Sequence, residues 1–242
     1  MIEIFSNTQE LARGAAEYFV ARSGEAVAQK GFFTVALSGG STPKLLYQLL
    51  ANLDEPFATQ VPWDRTHFFW SDERHVPPDH PDSNYRMTHE AMLSRAPVPE
   101  GNVHRVHGEN PDAAAAADEY EQTILQLTKQ TLPLLDLILL GLGEDGHTAS
   151  IFPGSEVLHE TSRLVAAPWV EKFNTHRITM TLPLLNNGAS VLFLVSGAEK
   201  AEIVKEVIEG QKQYPAQAVQ PTHGQLLWML DKDAAAKLIR GT

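Results

Sequence analysis

The amino-acid sequence predicts an α/β protein in which a mainly parallel β-sheet is flanked by helices on both faces. The predicted strands are apolar throughout, which is typical of strands buried on both faces of a sheet. They alternate along the chain with segments of helical pattern, as in strand-helix-strand units. Neither an internal repeat nor a Gly/Ser-rich linker divides the 242 residues. A single domain covering residues 1–242 is therefore expected.

Each predicted strand is a short apolar run followed by polar residues or glycine, a pattern that favours buried strands over helices. A long polar loop follows the third run. The predicted strands are, in order, IEIF (2–5), FFTVALS (32–38), THFFW (66–70), DLILLG (136–141), RLVAAPWV (163–170), HRITMTL (176–182), SVLFLVS (190–196) and QLLWML (225–230).

The predicted helices carry start and stop signals at their ends. A cap-like Ser-Asn-Thr opens the first helix, which runs to about Lys30 and closes at Gly31. In GGSTPKLLYQLL, Thr42 is the predicted N-cap and Pro43 the first helical residue. The remaining predicted helices are NYRMTHEAMLSR (84–95), DAAAAADEYEQTILQLTK (112–129), GAEKAEIVKEVIEG (197–210) and DKDAAAKLI (231–239).

Composition excludes several classes of protein. A formal net charge of -11 argues against binding to nucleic acid, although basic groups could still converge on one small anion. Cysteine is absent, so disulfides and thiolate metal sites are excluded. The N-terminus has no signal-peptide pattern, and no stretch approaches the roughly 18 apolar residues of a membrane span. A cytoplasmic protein without membrane or nucleic-acid partners is expected, with an undetermined oligomeric state.

Ligands of parallel α/β sheets bind beyond the carboxyl ends of the strands, and four regions near strand ends are unusual. The first is SGGST, which comprises Ser38, Gly39, Gly40, Ser41 and Thr42. Its glycines let the backbone approach a ligand, and the helix behind offers free N–H groups, which suits phosphate. An ordinary strand-to-helix turn explains the same residues.

The second region is WSDERHVPPDHPDSNYRM (70–87). Four ionisable residues, Asp72 to His75, directly follow a predicted strand, and two prolines then stiffen the loop. A binding loop and a solvated charged turn both remain open.

The third region, GLGEDGHTASIFPG (141–154), contains the G-x-G-x-x-G spacing of a dinucleotide-binding loop. Its acidic residues would repel a pyrophosphate, and Pro153 would interrupt the helix that such a loop requires. Asp145 and His147 are close enough for the carboxylate to orient the imidazole. We therefore interpret this stretch as a catalytic loop in which the glycine spacing is a coincidence.

The fourth region supplies basic side chains, Arg177 and Lys200, which together suit a dianionic phosphate, although each alone fits a surface charge. Other catalytic classes find no support in the sequence. A serine hydrolase of the G-x-S-x-G type is excluded because that motif is missing. The scattered histidines form no H-x-x-x-H or H-E-x-x-H pair, so no metal site is expected.

Five segments taken together resemble the 6-phosphogluconolactonase family, which is related to glucosamine-6-phosphate deaminase/isomerase. They are ALSGGSTPKLLYQLL, FFWSDERHVPPDHPDSNYRM, LILLGLGEDGHTASIFPGS, RITMTLPLLNNGASVLFLVSGAEKAEIV and WMLDKDAAAKL. They occur in the family's order over nearly the whole chain. The resemblance implies the Rossmann-like three-layer fold of the deaminases and the hydrolysis of 6-phospho-D-glucono-1,5-lactone in the pentose phosphate pathway.

The resemblance also implies roles for individual residues. The SGGST loop, Arg74, Arg177 and Lys200 would hold the sugar phosphate. His147 would be the catalytic general base and Asp145 its companion, with no metal or organic cofactor. Asp72 matches a proton-abstracting aspartate of the deaminases, and in a lactonase it would contact the sugar ring or water.

Two alternatives are a deaminase and a non-catalytic sugar-phosphate sensor. Deaminases resemble D-G-H-I-A-F-N-E-P, with a carboxylate five residues after the histidine, where this chain has Phe152. They also tend to carry an aromatic residue at the position of Arg74. Both departures favour the lactonase, and the retained histidine and glycine loop argue against a sensor.

Overall fold

A computed structural model describes residues 1–239. The strands are β1 (Ile2–Phe5), β2 (Phe33–Leu37), β3 (Thr66–Trp70), β4 (Asp72–Arg74), β5 (Leu137–Leu140), β6 (Val165–Ala166), β7 (Trp169–Val170), β8 (Thr175–Met180), β9 (Ser190–Val195) and β10 (Gln225–Asp231). The α-helices are α1 (Thr8–Lys30), α2 (Ser41–Leu50), α3 (Phe57–Gln60), α4 (Asn84–Thr88), α5 (Ala113–Thr128), α6 (Leu182–Leu185) and α7 (Ala201–Glu209).

Six strands form a parallel sheet in the order β1-β10-β9-β5-β2-β3. Every residue of β2, β5 and β9 is buried. Alternate side chains of β2 enter different cores: Val35 packs in a cluster with α1 and α2, and Ala36 in a cluster with α5 and α7. The predicted mainly parallel sheet with helices on both faces is confirmed. The single domain over residues 1–242 stays a prediction, and its last three residues lie outside the described part of the chain.

A second, antiparallel sheet was not predicted. Strand β8 pairs with β4 on one side and with β6 and β7 on the other. The predicted strand 163–170 is divided into β6 and β7, with Pro168, which has no N–H to donate, between them. The predicted strand 176–182 corresponds to β8 and belongs to this sheet rather than to the parallel one. Strand β4 consists entirely of charged residues, which is why apolar patterning missed it.

The start of α2 differs from the prediction. Gly40, with φ 110°, is the N-cap, and the helix begins at Ser41 without a side-chain cap. Thr42 is therefore not the N-cap, and Pro43 is the third helical residue rather than the first. The Thr42 hydroxyl instead pairs with Ser196 Oγ at 2.7 Å, which links the loops after β2 and β9.

The predicted C-terminal helix over 231–239 is wrong, since residues 232–237 form consecutive turns. Asp231, which ends β10, accepts a hydrogen bond from the Ala234 N–H at 2.8 Å. The predicted helix over 197–210 begins as a 3₁₀ turn, so Lys200 lies immediately before α7 rather than one turn inside it. The helix predicted over 84–95 is α4 followed by a π-helical turn.

The sheet order brings three strand ends together. β9, β5 and β2 are neighbours and run parallel, so the loops that follow them meet at one edge of the sheet. These are the loops that begin at Ser38, Gly141 and Ser196. Within residues 1–239, no helix is both long enough and apolar enough to cross a membrane.

Candidate active site

The loops after β2, β5 and β9 enclose a cavity of about 290 Å³, which β4 also borders. Asp145 and Arg177 are outside its lining, but Asp145 binds His147 and Arg177 pairs with Arg74 in the second sheet. The other nine predicted site residues line the cavity: Ser38, Gly39, Gly40, Ser41, Thr42, Asp72, Arg74, His147 and Lys200.

The SGGST loop is held in a shape that exposes its backbone. Tyr47 Oη accepts a hydrogen bond from the Ser38 N–H at 3.0 Å and donates to the Ser38 carbonyl at 2.8 Å. A Cβ at Gly39 would lie 2.0 Å from Asn84 Oδ1, so only glycine fits there. Because α2 has no side-chain cap, its first N–H groups remain available to an anion. Ser38 Oγ is buried and has no hydrogen-bond partner among the described residues.

Two arginines occupy paired positions of β4 and β8. Arg74 donates from Nη1 to the Asp82 carbonyl at 2.6 Å, whereas its buried Nε has no partner in the described part of the chain. Arg177 makes no side-chain hydrogen bond within residues 1–239. Burial and the charge of Arg74 lower the pKa of the Arg177 guanidinium. An anion bound between the two side chains would remove this repulsion.

Lys200 reaches the cavity from the turn after β9. Gly197, with φ 100°, opens this turn, and its N–H donates to Asp231 Oδ1 at 3.1 Å. The buried Asp231 carboxylate thus fixes the turn that presents Lys200. Sequence reasoning missed Asp231, although an aspartate that directly follows an apolar run, here QLLWML, is a detectable signal. Glu199, which was not predicted as a site residue, also lines the cavity.

Asp145 orients His147. Its Oδ1 accepts a hydrogen bond from the backbone N–H of His147 at 3.2 Å and also contacts the ring nitrogen Nδ1 of His147. Lys172 Nζ lies 3.5 Å from Asp145 Oδ2. Burial alone would raise the pKa of Asp145, but the hydrogen bond and charge of His147 outweigh it and hold that pKa below its ordinary value. With Nδ1 occupied, His147 Nε2 has no partner within residues 1–239.

The glycine spacing of this loop serves the histidine. A Cβ at Gly143 would lie 2.0 Å from His147 Nδ1, so the imidazole packs directly against this glycine. Gly146 has φ 78°, and a Cβ there would meet the Tyr214 ring at 2.3 Å. A Cβ at Gly141, in contrast, would have no neighbour within 4 Å. The Phe152 ring stacks on the imidazole, with ring centroids 4.2 Å apart.

Asp72 and Glu73 are buried, so residues 72–75 do not form a solvated turn. Asp72 Oδ2 accepts a hydrogen bond from Ser150 Oγ at 2.6 Å, and the Asp72 carbonyl accepts one from Asn84 Nδ2 at 2.9 Å. Glu73 faces away from the cavity and accepts backbone N–H groups at the start of α4, including that of Asn84 at 2.8 Å. Asn84 and Ser150 were not predicted, because isolated polar residues give no pattern.

No group of three or more His, Asp or Glu side chains within residues 1–239 is arranged to hold a metal ion. The cavity instead combines backbone N–H groups and cationic side chains with an imidazole whose Nε2 is unpaired. Such a site can bind an anionic group at one end and transfer a proton at the other.

The chain is similar to known proteins over nearly its whole length. Residues 6–228 match the family described as glucosamine-6-phosphate isomerases/6-phosphogluconolactonase. The chain is 41% identical to a 6-phosphogluconolactonase of Synechocystis and 40% identical to one of Nostoc, in both cases over 98% of each chain. The solved 6-phosphogluconolactonase of Trypanosoma cruzi is 31% identical and superposes with a TM-score of 0.87, covering 98% of this chain and 96% of that one. The chain therefore belongs to the family of glucosamine-6-phosphate isomerases and 6-phosphogluconolactonases.

Proposed function

We propose that this protein hydrolyses 6-phospho-D-glucono-1,5-lactone to 6-phospho-D-gluconate, a carboxylic ester hydrolysis of the pentose phosphate pathway. The names of its close, full-length relatives support this substrate. The observation that carries the proposal is the shared cavity. There His147, whose Nε2 has no partner within residues 1–239, lies with the backbone N–H groups of the SGGST loop and two cationic side chains, Arg74 and Lys200.

His147 acts as the general base. Asp145 accepts a hydrogen bond from Nδ1–H, which keeps the proton on Nδ1 and leaves a lone pair on Nε2. Nε2 takes a proton from water while the water oxygen attacks the lactone carbonyl carbon, giving a tetrahedral oxyanion. When this intermediate collapses, the bond to the ring oxygen breaks and the imidazolium returns its proton to that oxygen. The products are a carboxyl group and a free hydroxyl.

The phosphate is held by the SGGST loop, Arg74, Arg177 and Lys200. Binding at this end fixes the lactone carbonyl relative to His147, so contacts remote from the reaction contribute to its orientation. A backbone N–H of one of the glycine loops stabilises the oxyanion. Asp72, anchored by Ser150, contacts the sugar ring or the attacking water.

The deaminase alternative finds less support at the imidazole. The ring that covers His147 is that of Phe152, an apolar group, so no carboxylate is placed there to assist the opening of a sugar ring. The chain is further proposed to act in the cytoplasm, without metal, organic cofactor, nucleic acid or membrane as a partner.

A parallel assay of the purified protein tests the function. We expect faster decay of 6-phosphogluconolactone than the uncatalysed background, and negligible ammonia release from glucosamine 6-phosphate. Ammonia release without lactonase activity would establish the deaminase instead. Binding of 6-phosphogluconate without either activity would indicate a sensor.

A further inference from the structure

The short turn between β7 and β8, residues Glu171–Asn174, lies against Asp145, the partner of His147. We call it the hairpin tip. Trp169 and Val170 of β7 pair with His176 and Thr175 of β8, so the tip is fixed at the edge of the second sheet. From it, Lys172 reaches to 3.5 Å from Asp145 Oδ2.

Phe173, on the hairpin tip, contacts Phe152 near the imidazole and Arg177 of the arginine pair. On one side its ring meets that of Phe152 edge-on, with centroids 6.1 Å apart, and Phe152 in turn stacks on His147. On the other side the Arg177 guanidinium carbon lies 4.9 Å from the centroid of Phe173. These contacts form one continuous series from the imidazole to the arginine pair.

The contact with Arg177 has an electrostatic reason. The Arg177 guanidinium is repelled by Arg74 and hydrogen-bonds no carboxylate within residues 1–239. The nearby charges of Asp72, Asp82 and Glu73 attract it but do not restore its ordinary pKa. An aromatic face attracts a cation, so Phe173 holds this side chain in place when no anion is bound. A shift of Arg177 toward an anion would then change the packing of Phe173 on Phe152.

We infer that Phe173 is a positioning residue that connects the phosphate-binding end of the cavity to the orientation of His147. It does not touch the reacting atoms and acts through Arg177 and Phe152. The kinetic consequences of this inference rest on the proposed function, whereas the coupling between phosphate and the imidazole can be tested without catalysis.

The kinetic test compares Phe173→Ala, Phe173→Tyr and Trp169→Ala. For Phe173→Ala we expect kcat/KM for the phosphorylated lactone to fall about threefold to tenfold, as a lost cation-aromatic contact implies, with a smaller loss for unphosphorylated gluconolactone. Phe173→Tyr keeps the ring and should retain wild-type discrimination. Trp169 is on the same hairpin and about half exposed, and its ring packs on His176 rather than on Phe152 or Phe173. Trp169→Ala is therefore the matched control.

A second readout follows the His147 imidazole by NMR while inorganic phosphate is added. The wild-type signals should shift on phosphate addition, and Phe173→Ala should weaken that shift while Trp169→Ala retains it. Equal loss on both lactones in Phe173→Ala, or an undiminished phosphate-induced shift, would overturn the inference. A wild-type protein inactive on both lactones would refute the proposed function alone, since the NMR comparison would still decide the role of Phe173.

Discussion

Arg74 and Arg177 occupy paired positions in the antiparallel ladder between β4 and β8, which places two cations side by side at the edge of the cavity. Burial first and the charge of Arg74 second lower the pKa of the Arg177 guanidinium, so the pairing is unfavourable without a bound anion. We expect a dianionic phosphate to pair with both side chains and with Lys200, which also lines the cavity. The arrangement thus favours ligand binding at a cost to the unliganded protein.

The first prediction concerns these cations. Arg74→Ala, Arg177→Ala and Lys200→Ala each remove a charge-assisted contact of about 1.5–3 kcal/mol, which corresponds to roughly tenfold to a hundredfold in kcat/KM. The preference for 6-phosphogluconolactone over gluconolactone should fall by a similar factor. The exposed Arg95 lies outside the cavity lining, so Arg95→Ala is the control. If a variant loses activity equally on both lactones, the substituted residue does not contact the phosphate.

The second prediction uses two glycines of the catalytic loop. Gly143→Ala should lower kcat tenfold or more, because its Cβ would lie 2.0 Å from His147 Nδ1 and displace the imidazole, and misplacement by about 1 Å can cost on the order of a hundredfold. Gly141→Ala should lower kcat much less, since no protein atom of the described residues lies within 4 Å of its Cβ and the imidazole stays in place. Steady-state kinetics of both variants check this. Equal effects of the two substitutions would show that kcat depends on the conformation of the whole loop and not on the contact between Gly143 and the imidazole.

The third prediction concerns stability in acid. His67 Nδ1 and His104 Nε2 lie 3.0 Å apart, and burial together with the charge of His67 lowers the pKa of His104 to about 4. Between that value and the ordinary imidazole value of about 6.5, the unfolded chain binds more protons than the folded one. The free energy of unfolding should therefore fall as pH drops through this range, by up to about 1.4 kcal/mol per pH unit for one proton. Denaturant unfolding of wild type and His104→Gln measures the slope, which should be shallower in the variant. Identical slopes would mean that His104 titrates normally in the folded protein.

The fourth prediction is that EDTA leaves the lactonase rate unchanged. The proposed steps use an imidazole, a carboxylate and backbone N–H groups, none of which requires a metal ion. The rate is measured before and after dialysis against the chelator. A loss of activity that Mg²⁺ or Zn²⁺ restores would contradict the proposed mechanism.

The sequence predicted the parallel sheet because its strands are apolar and alternate with helices, a pattern that depends on burial alone. It did not predict the second sheet, because β4 is made only of charged residues that are stabilised by pairing with β8. The glycine loops and His147 could be found because each lies directly after an apolar strand. Asn84 and Phe173 could not, since their positions depend on contacts between segments distant in the chain.

The last prediction concerns His147, on which the proposed mechanism depends. His147→Ala should lower the rate by roughly a hundredfold to ten-thousandfold, the usual contribution of a positioned acid-base group, with the fold and phosphate affinity nearly intact because the side chain lies in a loop. Asp145→Asn should also lower activity, because an amide can donate to Nδ1 and so place the proton on Nε2. It should move the acidic limb of the kcat/KM profile to lower pH, since the charge that stabilises the imidazolium is lost. Asp145 itself, whose pKa is held below its ordinary value, stays ionised across that limb. Lactones also react with hydroxide, so the uncatalysed rate is subtracted at each pH. If His147→Ala keeps near-normal turnover and thermal stability, the histidine is structural and Asp72 becomes the base to test.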